Sequence, residues 1–89
     1  MTTTVVMVHG IRTSATMWRS QLAHLAERGV PAVAVDLPGH GTRMTETFTL
    51  EGALATIDDA VRTAAANGRV LLAGHSMGGL VSTAYVGGE

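Results

Sequence analysis

Three short runs of apolar residues, each followed by an amphipathic segment, constrain the fold of this chain more than any other feature. The runs occupy residues 5–8, 32–35 and 70–73, and each is continuous rather than alternating. Continuous runs of this length are typical of strands buried on both faces, which we expect for the first and third. The repeated order of strand and helix predicts a parallel sheet with right-handed crossovers. We therefore expect an α/β fold, a three-layer sandwich of three strands and three helices with helices on both faces.

The segments after these runs place apolar residues at the three- and four-residue spacing of a helix. The first helix is expected to start at residues 14–16, which offer side-chain caps, and to end at Gly29. The second should follow a polar loop at residues 40–49. The three apolar stripes are Trp18, Leu22, Leu25 and Ala26; Leu50, Leu54, Ile57 and Val61; and Met77, Leu80, Val81, Ala84 and Tyr85.

The composition limits what a chain of this size can be. Its 89 residues make at most one domain, which we expect to span residues 1–89. The hydrophobic content of 46% is high for so short a chain and suggests faces that something else covers. A net charge of −1, with six scattered arginines and no lysine, predicts neither a nucleic-acid nor a membrane partner.

Several functional classes are excluded by what the sequence lacks. Without cysteine there is no disulfide framework, thiol nucleophile or thiolate metal site. No pair of candidate ligands has metal-binding spacing on one element, so we expect no metal. Gly39 and Gly41 begin a dinucleotide fingerprint, but Met44 takes the third glycine position, so we expect no cofactor. Residues 1–4 lack the pattern of a signal peptide, which favours a cytoplasmic location.

The segment Gly74-His75-Ser76-Met77-Gly78 lies between the third apolar run and the third helical stripe. This Gly-x-Ser-x-Gly pattern is typical of a sharp strand-to-helix turn that exposes a nucleophilic serine. The glycines two residues either side of the serine leave room for a tight turn. The first amides of the following helix favour negative charge near the hydroxyl.

Two further loops follow the first and second strands. His9-Gly10-Ile11 ends the first strand, and a role for His9 in fixing this loop is favoured over a catalytic one. Asp36-Leu37-Pro38-Gly39-His40-Gly41 ends the second strand, where Asp36 is expected to accept hydrogen bonds from nearby amides or to cap the loop.

Together these motifs resemble the amino-terminal half of an α/β-hydrolase-fold enzyme, in that family's order and across essentially the whole chain. The resemblance implies an esterase-like serine hydrolase that cleaves small-molecule carboxylic esters, with Ser76 as nucleophile and the amides of Ile11 and Met77 as oxyanion donors. It also implies that the first strand lies between the second and third. The surrounding site residues are expected to be His9, Gly10, Arg12, Gly74, His75 and Gly78.

The sequence departs from that family in one respect, because no histidine follows Ser76. The family's triad continues with an acid and then a histidine, so we expect the lid and both groups to lie outside this chain. The favoured hypothesis is a portion of a hydrolase completed by a further segment or a second chain. One alternative is an inactive fold fragment that is stable as a homo-oligomer, with the third strand as a bare apolar edge that invites pairing with another copy. The other is weak activity with His9 as a makeshift base. Acyl transfer to another acceptor and perhydrolysis also remain open.

Overall fold

The computed structural model describes residues 2–87, in which three strands alternate with three helices. The strands are β1 (Thr2–Val8), β2 (Ala32–Val35) and β3 (Gly68–Gly74), and the helices are α1 (Arg19–Glu27), α2 (Leu50–Ala65) and α3 (Met77–Gly87). The α/β class and the number of elements predicted from the sequence are therefore confirmed. Within residues 2–87, no helix combines the length and the apolar character needed to span a membrane.

The three strands form one parallel sheet in the order β2-β1-β3. The resemblance described above implied this order, in which the first strand lies between the other two. The register pairs Val8 with both Val35 and Gly74, so the three strands end level with one another. The residues that follow each strand consequently meet at one side of the sheet, which we call the carboxyl edge.

The helices cover both faces of the sheet, as predicted. Helices α2 and α3 pack against each other and against the sheet on one face, and α1 packs against β2 on the other. The central strand is buried from Thr4 to Val8, since it has a strand on each side and helices above and below. The core between the sheet, α2 and α3 contains Val8, Leu37, Ala53, Ile57 and Val81.

The prediction that the third strand is buried on both faces is wrong. Within the described residues β3 pairs only with β1, and its Leu71 side chain is 57% exposed. Leu71 is in register with Val5 on the face that α1 covers, but α1 packs against β2 at the opposite side of the sheet. An apolar run thus predicts a strand, whereas its burial depends on which elements surround it.

The two predicted helix starts have different outcomes. Helix α2 starts directly after the polar loop at residues 40–49, as expected, and the structure adds a cap, because the Thr49 hydroxyl oxygen accepts from the Gly52 N–H at 2.9 Å. The first helix begins with a 3-10 turn at Ala15–Trp18, where the Ser14 hydroxyl accepts from the Thr16 N–H at 3.3 Å. The capping prediction at residues 14–16 is therefore confirmed, but regular α-helix starts only after this turn.

Candidate active site

Ser76 lies on the turn between the end of β3 and the start of α3, outside regular secondary structure. Its φ angle is 55°, in the left-handed region that costs a non-glycine residue about 1–2 kcal/mol. The residue is exposed, and its hydroxyl makes no hydrogen bond within residues 2–87. The turn therefore presents an uncommitted hydroxyl at the carboxyl edge, on a backbone that the surrounding structure must hold in place.

Main-chain hydrogen bonds hold this turn at both ends. The His75 N–H donates to the carbonyl oxygen of Val8 at 3.1 Å, which ties the turn to the central strand. Beyond the serine, the Gly78 N–H donates to the His75 carbonyl at 2.9 Å and the Leu80 N–H donates to the Ser76 carbonyl at 3.1 Å. Helix α3 therefore begins directly behind Ser76.

The glycines of the motif are required by close backbone approach. A Cβ atom at Gly74 would lie 2.5 Å from the carbonyl oxygen of Gly78. A Cβ atom at Gly78 would overlap the carbonyl oxygens of Val8 and His9. Since each of these neighbours is main chain, it cannot rotate away as a side chain can. The strand, the turn and the helix are thus packed backbone against backbone.

The loop after β1 lies against the serine turn. A Cβ atom at Gly10 would come within 3.3 Å of the Ser76 Cβ and within 3.1 Å of the His75 Nδ1. The next amide along this loop is that of Ile11, and the first amide of α3 is that of Met77. Neither amide donates to an acceptor within the described part of the chain, so both are available to a ligand.

His9 is fully buried, and both of its ring nitrogens are engaged with main chain. The Leu37 N–H donates to Nε2 at 3.0 Å, so that nitrogen is the acceptor of a neutral imidazole. The proton then lies on Nδ1, which donates to the Gly10 carbonyl oxygen at 2.7 Å. His9 thereby links the loop after β1 to the segment after β2. This arrangement argues against the hypothesis of His9 as a makeshift base, because neither nitrogen is left to accept a proton.

Asp36 links the segment after β1 to the segment after β2 at a second point. Its carboxylate accepts from the Ala15 N–H at 2.8 Å, the Thr42 N–H at 3.1 Å and the Thr42 hydroxyl at 2.8 Å. Partial burial raises the pKa of Asp36, but these hydrogen bonds outweigh it, so the pKa lies below its ordinary value of 3.8. The expectation that Asp36 accepts from nearby amides is confirmed.

The sequence did not predict the contacts of Arg43 or the backbone conformation of Arg12, two arginines that follow strands at this edge. Arg43 binds both carboxylate oxygens of Glu46, at 2.8 and 2.9 Å, and its Nη1 donates to the Asp36 carbonyl and the Thr56 hydroxyl. The three-residue spacing to Glu46 is a signal that sequence reasoning had available. Arg12 has a φ angle of 63°, and a non-glycine residue gives no sequence signal for this conformation.

Comparison with known proteins agrees with this architecture. Residues 5–88 match the model of the alpha/beta hydrolase family. A putative chloroplastic methylesterase 12 of Arabidopsis thaliana is 38% identical over 77 residues, which is 83% of this chain and 22% of that protein. The esterase PIR7B of Oryza sativa subsp. japonica is 39% identical over 79 residues, which is 84% of this chain and 30% of that protein.

A solved structure gives the same result for the fold. The RedJ thioesterase from the prodiginine biosynthetic pathway in Streptomyces coelicolor superposes with a TM-score of 0.73 at 27% identity, over 92% of this chain and 34% of that one. The chain thus spans about a third or less of the length of the relatives it matches. Because the family model covers nearly all of its residues, the chain belongs to the alpha/beta hydrolase family.

Proposed function

We propose that Ser76 is the nucleophile of a serine hydrolase that cleaves small-molecule carboxylic esters through an acyl-enzyme. The observation that carries this proposal is the exposed, uncommitted hydroxyl of Ser76 on a left-handed turn at the start of α3. Its hydroxyl oxygen attacks the ester carbonyl while its proton passes to a base. The base then returns that proton to the leaving alcohol, and water subsequently hydrolyses the acyl-serine.

The oxyanion formed on attack is assigned to the amides of Ile11 and Met77. Support comes from their unused N–H groups and from the contact between Gly10 and the serine turn. Each oxyanion donor of this kind contributes about 3 kcal/mol to transition-state stabilisation. His9 and Asp36 act on this site indirectly, since they hold the Gly10 loop and the Ala15 turn in position.

We assign the base and its acid to polypeptide outside the 89 residues, either a further segment or a second chain. Loss of the base lowers turnover about a millionfold, and oxyanion donors with binding alone retain a rate enhancement of about 10³–10⁴ over water. The exposed apolar side chains of Leu71 on β3 and Leu80 on α3, and the edge of β3 that pairs with no strand within residues 2–87, offer such polypeptide a place to pack. Gel filtration of the chain tests self-association, since a clean monomer argues against a homo-oligomer.

Covalent labelling tests the nucleophile. We expect a fluorophosphonate probe to label Ser76 slowly in the 89-residue chain and stoichiometrically in a longer form that contains the acid and histidine. Hydrolysis of p-nitrophenyl acetate should follow the same order. Ser76→Ala should abolish both signals, whereas Ser20→Ala, an exposed serine of α1, should leave both unchanged. Labelling at another residue, or hydrolysis that survives Ser76→Ala in the longer form, would contradict the assignment.

The superposed thioesterase supports a second candidate, a thioester substrate, which the same serine would attack in the same way. An oxygen ester and a thioester with the same acyl group distinguish the two. A kcat/KM ratio in the longer form that favours the thioester at least tenfold would move the assignment to thioesters.

A further inference from the structure

Arg12 lies two residues after Gly10, in the loop that contacts the serine turn, and has a backbone conformation that arginine rarely adopts. Arg12 and Ser76 are the non-glycine residues with positive φ in the described part of the chain, at 63° and 55°. Both lie on turns that follow a strand at the carboxyl edge. Glycine would adopt this conformation at no steric cost. The presence of arginine at this position therefore suggests a role in function rather than in folding.

The guanidinium of Arg12 is not used by the fold. The residue is exposed, and it makes no hydrogen bond or ion pair within residues 2–87. Arg43 is the contrast, because it is bound by Glu46 and by two further oxygens. The carboxylates of the segment after β2 are already occupied as well, Asp36 by Ala15 and Thr42 and Glu46 by Arg43. The positive charge of Arg12 therefore remains available to a ligand.

We propose that Arg12 binds a carboxylate carried by the substrate, so that the enzyme prefers anionic esters such as half-esters of short dicarboxylic acids. This inference rests on the proposed function. The ester carbonyl would lie between Ser76 and the Ile11 amide, and Arg12 is the next residue, with its Cα about 3.8 Å from the Cα of Ile11. The charge must therefore be a few carbons from the ester carbonyl. A guanidinium is suited to this role because its planar N–H groups bind a carboxylate through two parallel hydrogen bonds.

Binding without turnover tests this inference on the 89-residue chain. In ¹⁵N-labelled Ser76→Ala protein, monomethyl succinate and methyl butyrate are titrated in parallel, and the Arg12 Nε–H signal and the Ile11 amide are followed by NMR. We expect at least tenfold tighter binding of monomethyl succinate, with a shift of the Arg12 Nε–H signal. Adding Arg12→Gln should remove this preference, and Arg12→Lys should retain part of it.

The control is Arg28→Gln, an exposed arginine that follows α1 at the opposite edge of the sheet. This variant should keep the full preference. A preference that survives Arg12→Gln, or that Arg28→Gln removes to the same extent, would overturn the proposal. Arg12→Gly separates binding from folding, because it suits the left-handed backbone and should unfold at the same or a higher temperature while losing the preference.

The labelling experiment distinguishes failure of this inference from failure of the proposed function. If Ser76 reacts with the fluorophosphonate in the longer form but Arg12→Gln leaves the ligand preference intact, only the anionic substrate class is wrong. If Arg12 binds monomethyl succinate but Ser76 is never labelled, the anion subsite stands and the serine mechanism fails.

Discussion

The loops after β1 and β2 and the turn after β3 meet at the same edge of the sheet, but different forces fix them. The two loops are joined by polar side chains, since His9 binds the Gly10 carbonyl and the Leu37 amide, and Asp36 binds Ala15 and Thr42. The serine turn is instead held by main-chain hydrogen bonds and by glycines packed directly against backbone. Fixing the turn in this way leaves the Ser76 hydroxyl free for a substrate.

The largest effect should follow from adding one methyl group to the backbone-held turn. Gly78→Ala places a Cβ against the carbonyl oxygens of Val8 and His9, so we expect the free energy of unfolding to fall by about 3 kcal/mol. Gly79→Ala is the matched control, because its Cβ would lie 3.6 Å from the Gly74 carbonyl oxygen, an ordinary contact. That variant should be stabilised by about 0.5 kcal/mol from helix propensity. Urea unfolding measures both, and equal effects would show that the turn is not held by close backbone packing.

The side-chain-held loops should respond next. His9→Leu leaves the buried Leu37 amide and the Gly10 carbonyl without partners, so we expect a loss of about 2 kcal/mol in the free energy of unfolding. His24→Leu, at an exposed position of α1, should change it by no more than about 0.5 kcal/mol. Urea titrations at pH 8 compare the two. If the two variants lose the same free energy, His9 does not fix the loop.

Asp36 adds a dependence on pH to the same loops. Because its pKa is lowered in the folded state, its stabilisation is fully present well above pH 4 and is lost as the pH falls through the lowered folded pKa. Asp36→Asn should therefore cost about 1.5 kcal/mol at pH 7 and progressively less below pH 4. Asp59→Asn, at an exposed position of α2, is the control and should cost no more than about 0.5 kcal/mol at pH 7. Thermal unfolding between pH 2.5 and 7 measures the difference, and a cost independent of pH would contradict the role of the charge.

The sequence predicted the parts of this structure that depend on local patterns. Apolar runs located the strands, the caps at residues 14–16 located the first helix start, and the polar loop at residues 40–49 located the second. The hydrogen bond from the Leu37 amide to His9 joins residues 28 positions apart, so no local pattern encodes it. The exposure of Leu71 depends on which strands and helices surround it, and the left-handed backbone at Arg12 occurs without the glycine that usually marks such a turn. The features that only the structure reveals are therefore contacts between residues distant in sequence and strained backbone conformations.

The smallest effect concerns the strain at the serine itself. Ser76→Gly should relieve the cost of about 1–2 kcal/mol that a side chain pays at a φ angle of 55°. The greater freedom of glycine in the unfolded chain offsets about 0.5–1 kcal/mol of this gain, so we expect a net stabilisation of about 0.5 kcal/mol. Fluorophosphonate labelling should be lost at the same time.

Gly29→Ala provides the reverse experiment at a position unrelated to the site. Gly29 also has positive φ, at 72°, and a Cβ there would meet no atom within 4 Å. Any change in stability therefore comes from the backbone conformation alone. We expect the free energy of unfolding to fall by about 0.5–1 kcal/mol, opposite in sign to the effect of Ser76→Gly. If Ser76→Gly destabilises the chain instead, the serine side chain contributes to folding. The contrast between a side-chain-held pair of loops and a backbone-held turn would then need revision, because Ser76 would no longer be retained against a cost in stability.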